Sequence, residues 1–209
     1  MLSKKNFFQN YNLNSNIFKR NFIKTKRIFK TFKLDFEVEI PLLQSYEKNY
    51  KMNFSSKTIK KFSKYQNIII FGMGGSILGS KCIYSFLKNK IKKKIFFFDN
   101  LDPNLHAKCS KIKNIKNSCF VVISKSGNTL ETITNLGIVF SNSLIRNKLI
   151  IITEIKSSAL SFIADKFGAE VIEHNNFISG RYSVLSESGM LPAMLMNLKI
   201  ERFKNINKF

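Results

Sequence analysis

The 209 residues include no tryptophan, three prolines, nine glycines, three cysteines and two histidines. Cys82, Cys109 and Cys119, taken with His106 and His174, show neither a C-x-x-C pair nor zinc-ligand spacing. That excludes a disulfide scaffold and a structural zinc site, and leaves reduced, buried thiols in a cytosolic protein as the expectation. No apolar run approaches the roughly 18 residues of a membrane span. Acids are also scarce, 13 against 35 lysines and arginines, for a net charge of +22. Such a balance suggests nucleic acid or an anionic surface as partner. Yet the shortage of glycine, proline and tryptophan accompanies an abundance of Lys, Asn, Ile and Phe, four residues with AT-rich codons. The lysines are therefore read mainly as solvated surface, with no specific nucleic acid and no membrane as partner.

A hydrophobic fraction of 44% supports a sizeable core in one α/β domain with extra helices. The chain up to about Leu34 is basic, from Lys4 and Lys5 through Lys19, Arg20, Lys24, Lys26, Arg27, Lys30 and Lys33. It has no acid before Asp35, and phenylalanines interleave the charges. A transit peptide and an RNA-binding arm share this composition. The preferred reading is a helical arm, residues 1–62, that packs its phenylalanines on the main domain. Within it, Pro41 to about Lys64 reads as helix.

Residues 63–200 read as that main domain. Five short runs recur there: Asn67–Phe71, Lys94–Phe98, Cys119–Ile123, Leu149–Thr153 and Glu170–Ile172. They are almost wholly apolar, so both faces of each strand are covered. Helical periods lie between them. Strand and helix alternating at roughly 25-residue spacing predict right-handed βαβ crossovers. The expected fold is a three-layer αβα sandwich with about five parallel strands, doubly wound. Ligands bind such sheets outside the carboxyl ends of the strands.

Three strand-end loops carry candidate chemistry. After the first strand comes Gly72-Met73-Gly74-Gly75-Ser76-Ile77-Leu78-Gly79. Its glycines permit close approach of a ligand, and the following helix offers free N–H groups to an anion. Ile77 stands where a dinucleotide fingerprint needs its third glycine, although Asp99 is placed for a ribose hydroxyl. Ser80-Lys81 reverses the order that a Walker A loop needs. After the third strand, Ser124-Lys125-Ser126-Gly127-Asn128-Thr129-Leu130-Glu131-Thr132 brings Ser124, Ser126 and Thr129 to a helix N-terminus, a cradle for a phosphate dianion. Asn128 and Glu131 read as a capping pair. Leu130, Ile133, Leu136, Phe140 and Leu144 mark the helix's buried face. After the fifth strand, Arg181 follows Gly180 at a helix start, placed to meet an anion or a developing oxyanion.

Together these loops, the third being Gly180-Arg181-Tyr182-Ser183-Val184-Leu185-Ser186, resemble the glucose-6-phosphate isomerase family, built from sugar-isomerase (SIS) domains. The resemblance runs from about Pro41 to Leu198. It implies reversible conversion of glucose 6-phosphate and fructose 6-phosphate, an intramolecular oxidation–reduction in glycolysis and gluconeogenesis. No cofactor or metal is implied. Ser124, Ser126 and Thr129 would hold the 6-phosphate with backbone N–H groups around Lys125. Gly75 and Ser76 would contact the sugar, and Arg181 would favour the enediolate. A cytoplasmic homodimer is implied for the full-length protein.

The family's base is a glutamate in an Asn-Gly-Lys context in a second sugar-isomerase domain, and its ring-opening histidine and a late lysine also lie downstream. No such stretch occurs here. The chain is read as the N-terminal part of the enzyme, with 201–209 a tail before the second domain. Glu187 and Glu131 are expected on a helix surface and in a cap. The alternative is a non-catalytic sugar-phosphate sensor of the same domain type, which needs the first two loops but not Gly180-Arg181-Tyr182-Ser183. A bifunctional glucose/mannose phosphate isomerase shares these loops, and a basic RNA-binding protein shares the charge, but here the aromatics fill strands and not one basic face.

Overall fold

A computed structural model describes residues 15–35, 40–140 and 146–203. Lys4, Lys5, Leu144, the Phe140 side chain and residues 204–209 lie outside what it describes. The chain divides into two compact units, Met1–Ile40 and Pro41–Phe209. In the first, α1 (Ser15–Asp35) is a single helix.

In the second unit, residues assigned from sequence to the N-terminal arm belong with the sheet. Pro41–Tyr46 forms a 3-10 turn and α2 (Ser56–Ser63) an α-helix. The single helix expected over this stretch is interrupted because Ser55, in extended backbone, accepts the N–H of Thr58 and starts α2 afresh. Phe62 of α2 is only 1% exposed.

Five strands follow, β1 (Asn67–Gly72), β2 (Lys94–Phe98), β3 (Ser118–Ile123), β4 (Leu149–Thr153) and β5 (Glu170–Glu173). All pair in parallel, in the order β2-β1-β3-β4-β5. The intervening helices are α3 (Gly75–Leu87), α4 (Leu105–Ser110), α5 (Leu130–Phe140) and α6 (Ala159–Phe167). Helix α7 (Glu187–Leu195) follows β5, and a 3-10 turn, Ile200–Arg202, comes after it.

The period of two in a strand sorts the core into two layers. Ile68 and Ile70 of β1 pack with Phe62, Ile77, Leu191 and Leu195, under α2, α3 and α7. Ile69 and Phe71 face the other way, onto Leu105, Leu136 and Leu160 of α4, α5 and α6. Helices therefore cover both faces of the central strands β1, β3 and β4, as their unbroken apolar runs predict, while the edge strands β2 and β5 stay partly exposed. Phe71 stacks on Phe98, their ring centroids 5.3 Å apart.

Two departures have local causes. Pro192 lies inside α7. A proline has no N–H for the carbonyl four residues back, and that carbonyl, of Ser188, accepts the Ser80 hydroxyl at 3.1 Å instead. Of the three free cysteines, Cys109 and Cys119 are buried as expected, but Cys82 on α3 is exposed. Burial raises the thiol pKa of Cys109 to about 11 and of Cys119 to about 12, so both stay protonated.

Candidate functional site: two loops at the sheet's switch point

The strand order reverses between β1 and β3, whose last residues Gly72 and Ile123 are register partners. The loop after β1 leads to α3 on one face, and the loop after β3 leads to α5 on the other. Both loops thus leave neighbouring strands at the point where a doubly wound sheet opens a crevice.

The first loop turns at Gly74, whose φ of +52° favours glycine. Gly75 then meets the third loop backbone to backbone. A Cβ on Gly75 would stand 2.3 Å from the carbonyl oxygen of Gly180 and 2.9 Å from the N of Arg181. Ser183 ties the two by donating to the Gly180 carbonyl at 2.8 Å and the Gly75 carbonyl at 3.4 Å. Gly79 is similarly close to Val184. Gly75, Ser76 and Arg181 are therefore brought together. Arg181 opens a 3-10 turn, Gly180–Leu185. It is exposed, and its guanidinium makes no ion pair among the described residues. Asp99 pairs with Lys81 of α3, which leaves it committed and removes the feature that favoured a dinucleotide site.

In the second loop the hydroxyls of Ser124 and Thr129 lie 2.8 Å apart, and Ser124 is only 2% exposed. The Ser126 hydroxyl accepts the N–H of Asn128. Gly127, at φ +71°, is packed so that a Cβ would fall 2.3 Å from the Ser158 hydroxyl. The N–H groups of Lys125, Ser126 and Thr129 donate to nothing among the described residues, so they stand open beside the hydroxyls. Lys125 turns its ammonium to the carbonyl of Asn176 and, at 3.7 Å, to the Glu154 carboxylate. Its ammonium is thus turned away from the loop's open backbone N–H groups.

The capping pair expected at Asn128 and Glu131 does not form. Helix α5 begins at Leu130, and Asn128 caps a different helix, its side-chain oxygen accepting the N–H of Ala159 in α6. The packing of Gly127 on Ser158 brings α6 within reach. The buried face of α5 is also displaced. Leu130 is 69% exposed, whereas Thr132, Asn135, Leu136 and Val139 are buried and Ile133 is half-buried. Thr132, one turn into the helix, has a buried hydroxyl without a hydrogen-bond partner among the described residues. It was read as part of the loop but not counted among the hydroxyl donors. Nothing in the sequence separates it from an ordinary helical threonine.

Glu187 is fully buried, not on a helix surface. Its carboxylate accepts the Tyr50 hydroxyl at 2.9 and 3.0 Å and the N–H of Asn53 at 3.0 Å. Asn175 donates to the same Tyr50 oxygen at 2.7 Å. Burial, then the adjacent carboxylate, raises the Tyr50 pKa, so the phenol stays a donor. Next to this network His174 is buried, its Nε2 without a hydrogen-bond partner among the described residues, and burial lowers its pKa. The network straps residues 50–53 to the start of α7 and the end of β5. No sequence pattern announces it.

An open parallel sheet with glycine and hydroxyl loops converging at its switch point defines an α/β domain of the phosphosugar-isomerase type. The structure resembles the crystal structure of a glucose-6-phosphate isomerase from Chlamydia trachomatis, with TM-score 0.60 and 25% identity, covering 71% of this chain and 30% of that one. A family model described as phosphoglucose isomerase matches residues 36–208. Glucose-6-phosphate isomerase of Borreliella afzelii is 34% identical over 189 residues, 83% of this chain and 35% of the relative. That of Mycoplasma genitalium is 37% identical over 159 residues, 68% of this chain and 36% of the relative. The chain belongs to the phosphoglucose isomerase family. It spans between 25% and 41% of the length of the relatives compared.

Proposed function

We propose that this chain is the sugar-phosphate-binding part of a glucose-6-phosphate isomerase, which interconverts glucose 6-phosphate and fructose 6-phosphate in the cytoplasm and works as a homodimer at full length. The observation that carries the reading is the β3–α5 loop. Paired hydroxyls of Ser124 and Thr129, with open N–H groups at Lys125, Ser126 and Thr129, lie at a helix N-terminus. Partial positive charge and convergent donors there suit a phosphate dianion. Ser126 and Thr132 border it. Gly75 and Ser76 meet the sugar from the neighbouring loop, and Arg181 faces the reacting carbons.

Isomerisation moves a proton between adjacent carbons and places negative charge on a former carbonyl oxygen. A fixed guanidinium stabilises that enediolate more than the ground state. A remote phosphate anchor supplies orientation. The proton itself needs a base, and the two buried or paired carboxylates nearest these loops are already engaged. Glu187 is sealed against Tyr50 and Asn53, and Glu154 is paired with two lysines.

The test is calorimetric titration of the chain with 6-phosphogluconate. Loss of hydrogen bonds to a charged group amounts to about 1.5–3 kcal/mol each. Ser124→Ala with Thr129→Ala should therefore weaken binding by at least about tenfold. Unchanged affinity in the double variant would remove the phosphate site.

A further inference from the structure

The Arg181 guanidinium makes no ion pair among the described residues, so its placement depends on how firmly the Gly180–Leu185 turn is held. Two sets of contacts hold that turn. The first is a series of buried hydroxyls. Ser186 donates to the Ser183 carbonyl at 2.8 Å, and Ser183 donates to the Gly180 carbonyl at 2.8 Å. The second is the segment 41–54. Its Pro41–Tyr46 turn touches Gly180–Leu185, and Tyr46, Met52 and Phe54 pack in one cluster with Val184, Leu185 and Met190.

Glu187 fastens that segment. Its carboxylate, fully buried at the first residue of α7, accepts the Tyr50 hydroxyl through both oxygens and the Asn53 N–H through Oε1. The Asn53 amide reaches on to the Glu173 carbonyl and to the Asn175 side-chain oxygen, each at 3.2 Å. No cation pairs with Glu187 among the described residues. Burying a carboxylate without a cation is unfavourable, and an apolar side chain of similar volume is often no less stabilising. What the carboxylate adds is register. It sets Tyr50 and Asn53 against the start of α7, one residue beyond Ser186, which both ends the Arg181 turn and stands at the N-cap of α7.

We infer that Glu187 is a positioning residue for Arg181: by clamping residues 41–54 against the Gly180–Leu185 turn, it holds the guanidinium where the charge of an enediolate develops. The inference rests on the reading of Arg181 proposed above. Ser124 and Thr129 take no part in these contacts. A loosened turn therefore leaves the phosphate anchored and loses only what preorganised charge contributes.

The experiment is calorimetric titration of the whole 209-residue chain with two ligands. One is an aldonohydroxamate phosphate, a mimic of the enediolate. The other is glucitol 6-phosphate, which keeps the phosphate and hydroxyls and carries no oxyanion. Glu187→Gln keeps the shape and turns one acceptor into a donor, and Tyr50→Phe removes the hydroxyl alone. Each should weaken hydroxamate binding by at least about tenfold and leave glucitol 6-phosphate binding within about twofold of the parent. In an Arg181→Ala background neither should weaken hydroxamate binding further, since the effect passes through the guanidinium. Thermal melting shows whether each variant is folded, and Tyr50→Phe carries the test should Glu187→Gln not fold. Hydroxamate affinity unchanged in either folded variant, with Arg181→Ala weakened, overturns the inference and leaves the reading of Arg181 standing. Equal losses for both ligands, or a loss that persists without Arg181, also overturn it, because Glu187 would then only stabilise the fold. Hydroxamate affinity unchanged in Arg181→Ala itself overturns that reading and the inference together.

Discussion

Gly75→Ala isolates the junction of the first and third loops. A Cβ there would sit 2.3 Å from the Gly180 carbonyl oxygen and 2.4 Å from its carbon, whereas ordinary contact begins at 3.4 Å. Both opposing atoms are backbone, so no side chain can swing aside. The two loops must part by about 1 Å. Overpacking of this kind costs about 1–3 kcal/mol. For a unit of 150–250 residues each kcal/mol moves Tm by roughly 2–4 °C, so the variant should melt roughly 2–12 °C below the parent. Arg181 follows Gly180 and shifts with it, so the stabilisation conferred by 6-phosphogluconate in a thermal-shift titration should also shrink. Gly137→Ala is the control. Gly137 lies within α5 with open space around its would-be Cβ, and alanine there should stabilise by about 0.5–1 kcal/mol. If Gly75→Ala melts with the parent and keeps the full ligand shift, the close approach of the loops is not what sets Arg181.

Three further outcomes are expected. Arg181→Lys keeps the charge and loses the planar fork, so affinity for a hydroxamate mimic of the enediolate should fall at least about tenfold. Affinity for 6-phosphogluconate should fall less, and equal losses would reassign Arg181 to ground-state binding. Burial holds the folded-state pKa of His174 below its ordinary 6.5. The unfolded chain therefore takes up a proton first as pH drops, and stability present above pH 6.5 declines below it. Lysine partners hold the carboxyls of Asp102, Glu154 and Glu170 below their ordinary values of 3.8–4.5, so their contribution is lost only at lower pH. The fall in Tm between pH 6.5 and 5 should thus flatten in His174→Gln, and an unchanged slope would remove His174 as its source. Finally, the chain purified from a host lacking its own isomerase should bind sugar phosphate and show no turnover in a coupled assay. Activity that copurifies with it and vanishes in Arg181→Ala would refute this.

The sheet was legible because its central strands are runs of β-branched and aromatic residues buried on both faces, as at Asn67–Phe71 and Leu149–Thr153, whereas the edge strands Lys94–Phe98 and Glu170–Glu173 are partly exposed. Local composition alone determines that pattern. The loop proposed to hold the phosphate stands out in the sequence for a related reason. Ser124, Ser126, Gly127 and Thr129 lie within six residues, and hydroxyls with a glycine at a strand end have few other uses. What escaped was set by contacts distant in sequence. The start of α5 was misplaced because Asn128 finds a better partner in Ala159, 31 residues on. Glu187 reads as an ordinary helical acid until Tyr50, 137 residues earlier, is packed against it.

That buried network bears on the chemistry as well as on stability. A general base must reach the carbon-bound proton it removes. The acid nearest Arg181 in sequence is Glu187, six positions on, and its carboxylate spends its hydrogen-bonding capacity on the Tyr50 hydroxyl and the Asn53 N–H. This arrangement fixes the strap formed by residues 50–53 against the N-terminus of α7, where the helix dipole favours a carboxylate. The same fixation holds the preceding Gly180–Leu185 turn, since Gly189 packs so closely that a Cβ on it would lie 2.0 Å from the Val184 carbonyl oxygen. Glu187 thus fixes residues 50–53, and Gly189 packed on Val184 ties the helix that Glu187 opens to the turn that carries Arg181. On the proposed reading, anchoring the phosphate and steadying the oxyanion fall to the β3–α5 loop and Arg181, while Glu187, sealed against Tyr50 and Asn53, is withheld from proton transfer.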